Sequence, residues 1–469
     1  MNAHAVFMAM LPEHTLLLGI VVLVLLVIVL PAERAQRAAL AVAGLSVAAA
    51  ALAAALLALQ GYSASPFAGQ LSVSPGPLLA KAMVLALALP VVLMAGSDFG
   101  NHSEHGCEFT TLLLSSLYGA CLVQSADSFL TLFLGLEILS LPVYVLVLLA
   151  WHQARSAEAA LKYLVLGGMA SAMLLMGASL LYGSTASLAI GSFVAALASA
   201  DALQRTALVL IILAFFLKAA IVPFHTWAPD AYEGASVPVT AYMAVVVKAA
   251  VLLAALRLFA GGSLVSPLLE LVAVLPLVSI VWGNLTAMRQ PSLRRMIAYS
   301  SIAHAGYLFY ALLGEPSGRL QSVAFYVLAY GLLNLLVFAA LPPADDDAAR
   351  DRLDHLKGLF HRSPFAAIMI ALGMLSLAGI PPLPGFVAKF LIFRNVMAAG
   401  YTVYAVLGLV GSYLGIYFYL RVIQFMFMSE DTKALPVRRL RLGAATASIA
   451  CLGATLLLAV LPGWVMARW

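Results

Sequence analysis

Four ionisable residues stand where the sequence is otherwise oily. Glu137 lies in Phe-Leu-Gly-Leu-Glu-Ile-Leu-Ser, and Lys218, Lys248 and Lys389 each lie deep in an apolar run of their own. A carboxylate and amines in such surroundings are suited to one kind of chemistry, the uptake and release of protons. Desolvation disfavours an ammonium and a neighbouring carboxylate favours it. Making and breaking one Glu–Lys pair in low dielectric therefore changes how firmly the lysine holds its proton. At roughly 2.5–3.5 kcal/mol for a mid-membrane charge, the four cost about 10–14 kcal/mol together. That is comparable with the whole net stability of a domain, about 5–15 kcal/mol. Glu137 can neutralise only one of the three lysines, so the other two need hydration, a polar neighbour or loss of the proton. The plainer reading of the pair is a static buried salt bridge.

Weaker candidates surround these four. His225 and His304 fall inside or beside apolar runs, where a lone histidine is ordinarily a hydrogen-bonded packing residue; the nearby lysines make a relay role the alternative. Lys162 follows Glu158 by four residues, the spacing of an ordinary helix-surface pair. Lys81 and Arg421 lie near the ends of their runs and are expected to snorkel to the interface. Of the twenty carboxylates, Glu137 alone is expected well inside a span. The three cysteines, Cys107, Cys121 and Cys451, are scattered without ligand spacing, so no metal or cofactor site is expected in the chain.

The elements that must position these groups follow from composition. The chain has 469 residues, 64% of them hydrophobic and 10% charged, with a mean hydropathy of +1.04. A water-exposed surface needs about a quarter of its residues charged, so soluble domains, disorder and nucleic-acid binding are excluded, and the lipid bilayer is the expected surround. The fold class is all-α: a polytopic membrane protein, since the apolar runs lack the period-two alternation of a membrane barrel. A span needs about 20 apolar residues. Fourteen are expected, at 14–31, 38–60, 77–95, 109–124, 129–150, 158–182, 206–222, 237–260, 267–283, 296–313, 320–341, 364–380 continuing to 399, 401–428 and 442–465. No Lys or Arg precedes the first, so it is read as a retained span and not as a signal peptide. Residues 188–203 are too short to span and read as an interfacial connector. Lys248, eleven residues into its span, sits about 16 Å along a helix, near the midplane.

Basic residues orient the spans. With the N-terminus outside, the cytoplasmic loops hold fourteen Lys and Arg, including Arg34, Arg289, Arg350, Lys433, Arg438 and Arg439; the opposite loops hold five. The chain is thus expected to place both termini on the outer side. The longest hydrophilic stretch, 342–363 with Asp345-Asp346-Asp347, reads as a solvated cytoplasmic loop. Two spans are expected to break. Lys218 precedes Pro223 by five residues in span seven, and Lys389 follows Pro384 by five in span twelve, after Pro381-Pro382. Proline removes a backbone donor, and freed carbonyls at membrane depth are tolerated where they line a polar cavity. The mirrored order suggests an inverted repeat of spans four to eight against nine to thirteen.

At these residues the sequence resembles a known family. Val222-Pro-Phe-His-Thr-Trp-Ala-Pro-Asp-Ala-Tyr-Glu-Gly-Ala, Pro238-Val-Thr-Ala, Met296-Ile-Ala-Tyr-Ser-Ser-Ile-Ala-His-Ala-Gly-Tyr and Leu377-Ala-Gly-Ile-Pro-Pro-Leu-Pro-Gly-Phe-Val-Ala-Lys are similar to signatures of the antiporter-like, proton-translocating subunits of bacterial complex I. The likeness runs from about residue 108 to 428. Lys389 stands where one branch of that family carries glutamate, and the chain stops after span fourteen, without the long lateral helix of another branch. Ser236 departs from the proline usual after Glu-Gly-Ala. The resemblance implies Glu137 and Lys218 as the pair on spans five and seven, Lys248 as a connecting lysine and Lys389 as the terminal base, with Lys162, His225 and His304 at further polar-axis positions. It implies an organisation of 1–107 for three leading helices, 108–260 and 261–428 for the repeats and 429–469 for the last helix. It also implies NADH, FMN, iron–sulfur clusters and quinone in partner membrane and peripheral subunits, a place in the bacterial inner membrane with periplasmic termini, and no redox site in this chain. A charge change from the partners would open the Glu137–Lys218 pair, and a proton would pass by Lys248 and His304 to Lys389. The alternative is a subunit of a multisubunit cation/proton antiporter.

Overall fold

The computed structural model describes residues 3–98, 105–149, 154–197, 200–259, 266–343, 351–428 and 440–468. Arg350, Lys433, Arg438, Arg439, Asp345-Asp346-Asp347 and the expected span ends at 150 and 260 lie outside the described residues. Among the described residues, thirteen helices are long and apolar enough to cross a membrane. The expected twelfth span is two shorter helices in series, Pro364–Ala378 and Pro384–Ala398. The chain is an all-α polytopic membrane protein. Its helices carry little amphipathic contrast because lipid accepts apolar side chains as readily as a core does. Leu18, Leu25 and Ile28 of Leu11–Val29 accordingly face outward, whereas Val237–Phe259 is buried throughout its best apolar window.

Two compact units divide the chain. The first comprises 1–92, 99–219 and 246–269. Its helices approach closely where glycine permits: a Cβ on Gly119 of Gly106–Ser125 would strike the backbone of Leu139 and Gly135 in Phe129–Leu148, and Ser116 Oγ donates to Leu139 O at 2.7 Å. Ser128 caps the N-terminus of Phe129–Leu148 by accepting from Thr131 N, the expected work of a serine at that position. A short hairpin, Ala64–Phe67 with Leu71–Val73, turns at Gly69 with φ of +71°; these few residues give no strand signal in the sequence. The connector region holds the short helix Ile190–Ala196.

The second unit comprises 93–98, 220–245 and 270–469. The segment after 342 departs from the solvated loop expected of it. Asp351 is buried, pairs with Arg294 Nε at 3.2 Å, and accepts from Ser292 Oγ and Arg294 N, each at 2.8 Å. Leu353, Leu356 and Leu359 are buried behind it. A buried arginine needs its carboxylate close by, and that need draws this end of the loop inward. Arg295 reaches Asp230 at 2.9 Å and Glu233 at 2.8 Å, which fixes the short helix Trp227–Gly234 against Leu293–Tyr310.

Both expected breaks are present. Ala202–Ala219 ends at Ala220, whose φ of +62° is costly for a residue with a side chain. Pro364–Ala378 ends at Gly379, φ +87°, where glycine carries no such cost. Val222–Pro223 and Pro381–Pro382 are cis.

Candidate proton-transfer sites

The first unit brings Glu137 and Lys218 together. Lys218 Nζ lies 3.4 Å from Glu137 Oε1 and 3.3 Å from Ser140 Oγ. Ser171 Oγ donates to the same Glu137 oxygen. The contact is long for a charge-assisted bond, ordinarily about 2.7–2.9 Å, and a serine hydroxyl bonds each partner. Lys218 occupies the last turn of Ala202–Ala219, where the helix dipole favours a cation. The helix break directly after it leaves that helix end free of further turns. Ser140 is one turn from Glu137, a spacing visible in the sequence; Ser171, on Ala154–Thr185, had no local signal.

Lys248 is buried and begins the helix Lys248–Phe259 directly after a π-helical turn, Met243–Val247. A π-turn inserts one extra residue into the ladder and re-aims everything that follows. Met-Ala-Val-Val-Val gives no warning of it. Gln124 Nε2 donates to Ala250 O at 3.0 Å, and Arg257 Nη1 to Gln124 O at 2.6 Å, so two polar clamps hold this helix to Gly106–Ser125. Lys162 is placed differently. It is exposed on Ala154–Thr185 and pairs with Glu158 at 2.7 Å. Ser171, which touches Glu137, lies nine residues further along, or about 14 Å at 1.5 Å per residue.

In the second unit His304 and Lys389 belong to one aromatic cluster. His304 Nδ1 meets Tyr326 Oη at 2.7 Å and His304 Nε2 meets Tyr419 Oη at 3.0 Å. Tyr419 Oη continues to Ser300 Oγ. Both ring nitrogens thus face hydroxyls, groups that donate or accept as the tautomer demands. Tyr307 packs edge-on to His304 with centroids 5.5 Å apart, and Lys389 Nζ stands 5.4 Å over the Tyr307 ring. Lys389 also donates to Leu377 O and Ala378 O, each at 3.2 Å. These are the carbonyls freed by the break at Gly379, as sequence expected of the broken span. His225 takes another course: Trp282 Nε1 donates to its Nε2 at 3.1 Å. An indole N–H can only donate, so that nitrogen is an unprotonated acceptor.

Two expectations are corrected here. Lys81 does not snorkel; it is buried and meets Glu13 Oε1 at 2.6 Å. Glu13, which the sequence analysis put outside the first span, lies in the first turn of Leu11–Val29, because the helix begins three residues earlier than expected. Arg421 is half-buried, with Nη1 on Met288 O at 2.7 Å and its guanidinium over Phe425. The remaining residues that sequence missed are the tyrosines: Tyr307, Tyr326 and Tyr419 look like ordinary aromatic packing until the histidine between them is placed.

Ser236 is also informative. Its hydroxyl is buried without a hydrogen-bond partner among the described residues, and its φ of −65° is that of proline. Ala235 before it is extended, as a residue preceding proline must be. Ser236→Pro is therefore expected to stabilise the protein by about 0.4–1 kcal/mol through the unfolded chain, read as a raised melting temperature in detergent.

The fold and these buried groups define a membrane protein that carries titratable side chains through its interior. A family model described as "NADH:quinone oxidoreductase/Mrp antiporter, TM" matches residues 126–415, and the chain belongs to that family. A subunit N of NADH-quinone oxidoreductase from Pelobacter propionicus is 38% identical over 424 residues, 90% of this chain and 89% of the relative. A chain in the structure of respiratory complex I from Thermus thermophilus with bound aureothin is 35% identical, with a TM-score of 0.83, covering 97% of this chain and 98% of that one. A chain of an Mrp complex from Dietzia, 22% identical with a TM-score of 0.85, shares the fold.

Proposed function

We propose that this chain is a proton-translocating membrane subunit of an NADH-quinone oxidoreductase, coupling electron transfer in partner subunits to proton movement across a bacterial inner membrane with both termini periplasmic. The observation that carries the reading is the Glu137–Lys218 pair at 3.4 Å, flanked by serine hydroxyls, in a chain that buries Lys248 in the first unit and Lys389 in the second. A largely desolvated pair is poor support for stability, and this partly buried one is long. In this reading the pair opens and closes as charge changes in the partners, Lys248 connects, and His304 and Lys389 take up and release the proton. Lys162 and His225 serve as relay positions at the margins. The repeats 108–260 and 261–428 each carry one broken span and one deep lysine beside the break. NADH, FMN, iron–sulfur clusters and quinone belong to the partners.

The antiporter reading shares the fold. Purification of the tagged chain in mild detergent separates the two: flavin and iron–sulfur proteins are expected to co-purify, and NADH is expected to drive quinone reduction in the eluate. A preparation without redox partners whose vesicles show a sodium-dependent pH change would establish the antiporter instead.

A further inference from the structure

We propose that Glu13 and Lys81 form a second proton-exchanging pair in the first unit, closed at its N-terminal end by the helix Ala3–Ala9 and the hairpin of Ala64–Phe67 with Leu71–Val73. The assignment rests on the proton-translocating reading above and adds a site to it.

The pair is tighter and drier than Glu137–Lys218. Glu13 Oε1 and Lys81 Nζ are 2.6 Å apart, with side chains only 2% and 1% exposed. Nothing else satisfies them among the described residues: Glu13 Oε2 has no hydrogen-bond partner, and Lys81 Nζ has none beyond Glu13. A pair kept only for structure is expected to have its remaining lone pairs and N–H groups bonded, since each unmet group in a dry interior is costly. Here one oxygen and the spare ammonium protons are left over. Tyr118, near Glu13, and Cys121, near both, lie within reach of their charges on Gly106–Ser125, and His14 is the next residue along from Glu13.

The exchange is simple to balance. A proton delivered by water forms an O–H bond on Glu13 and leaves the Lys81 ammonium as the single charge. A proton lost to water breaks one N–H bond of Lys81 and leaves an amine that still donates to the carboxylate. Each state carries one charge where the resting pair carries two opposed ones, so access of water decides which is reached.

That access is governed by an apolar cap. Ala9, Leu57, Ala58, Val73 and Leu78 form one buried cluster over the N-terminal end, and Leu78 is one turn from Lys81. Tyr62 Oη donates to Ala5 O at 3.2 Å and ties Ala3–Ala9 down. The same hairpin holds the helix that carries Glu137. Gln70 Oε1 accepts from Ser128 Oγ at 2.7 Å and Thr131 Oγ1 at 2.9 Å, Asp127 N donates to Gln70 O at 2.8 Å, and Leu71 pairs with Ala126. Any movement of the hairpin that wets Glu13 and Lys81 therefore pulls on the first turn of Phe129–Leu148.

The test uses the assembled complex in sealed vesicles, with Glu13→Gln, Lys81→Met and the double variant, and reads protons moved per NADH oxidised. All three are expected to lower the ratio below wild type, since a proton-transferring group is lost, and the double variant no less than either single one. A double variant that regains the wild-type ratio would overturn the proposal, because removing both charges repairs a merely structural pair. Should the single variants fail to assemble, the double variant decides. The infrared difference spectrum of the unmutated complex on NADH addition gives a second reading: a change in the Glu13 carboxyl bands that Glu13→Asp shifts is expected, a C=O band on its protonation or a displaced carboxylate stretch on loss of the Lys81 proton, and a spectrum with neither overturns the assignment. Glu137→Gln in the same vesicles keeps the two questions apart, since full pumping there rejects the parent reading whatever Glu13 does.

Discussion

Lys218→Arg is expected to leave the complex assembled and to cut proton translocation by roughly 100-fold or more, the range over which a positioned acid–base group acts. Arginine keeps the positive charge, and its fork can reach both Glu137 and Ser140, but it does not give up a proton. A lysine present only to neutralise Glu137 would be replaced by arginine with little loss. A lysine that must part with its proton would not. Glu137→Ala and Lys218→Ala are expected to reduce pumping and coupled quinone reduction as well, yet they confound two effects. Removing one partner of a buried pair leaves the other uncompensated, at a cost of about 3–5 kcal/mol in a fully dry site. With the Glu137 side chain 20% exposed, the cost here is smaller. Arginine avoids that ambiguity. Proton uptake by vesicles and the quantity of assembled complex, measured together, give the answer, and full pumping by Lys218→Arg would end the switch proposed for this pair.

The fold was legible because bilayer thickness sets a length that the apolar runs meet. Even the two breaks were written in Pro223 and in Pro381-Pro382 beside their lysines. What stayed hidden shares a physical cause: it depends on how helices face one another. Glu13 read as a loop carboxylate because its helix starts at Leu11 and not His14, a shift of less than one turn that moves the side chain into the bundle. The π-turn before Lys248 has no compositional signature, since valine and alanine serve either ladder. Ser171 lies 34 residues from Glu137 in sequence, so only tertiary packing joins them. The hairpin over the first unit is a few residues of mixed polarity, too short for periodicity to register. Tyr326 and Tyr419 become hydrogen-bond partners only when His304 is set between their hydroxyls. Lys162 runs the other way: the i,i+4 spacing with Glu158 was the plain reading, and that pair is what forms.

Lys389→Met is expected to lower protons moved per NADH, with complex assembly retained, and an unchanged ratio would remove Lys389 from the path. The physical case lies in what surrounds the amine. Two carbonyls, Leu377 O and Ala378 O, each stand 3.2 Å from Nζ, and the third direction meets the face of Tyr307. A neutral amine keeps two N–H groups and can still serve both carbonyls; the proton that leaves is the one with no oxygen to hold it. Lys389 therefore changes charge without orphaning either carbonyl, and no side chain has to reorganise. The ring matters more than its hydroxyl in this arrangement. Tyr307→Phe removes the hydroxyl that accepts from Asn284 Nδ2 and bonds Ser412, while the ring stays and Asn284 retains Gly411 O at 2.9 Å; pumping is expected to stay close to wild type. Tyr307→Leu deletes the π face, a contact worth about 0.5–2 kcal/mol to a cation, and also the packing against His304, so pumping is expected to fall with Lys389→Met. Gly379→Ala tests the cradle from the backbone side. Alanine at φ +87° is strained by roughly 1–2 kcal/mol, and its Cβ would sit 3.3 Å from Lys389 Nζ, pressing the amine off its carbonyls. If Gly379→Ala and Tyr307→Leu both pump normally, the cradle does not govern proton release and the base of this unit must be sought elsewhere.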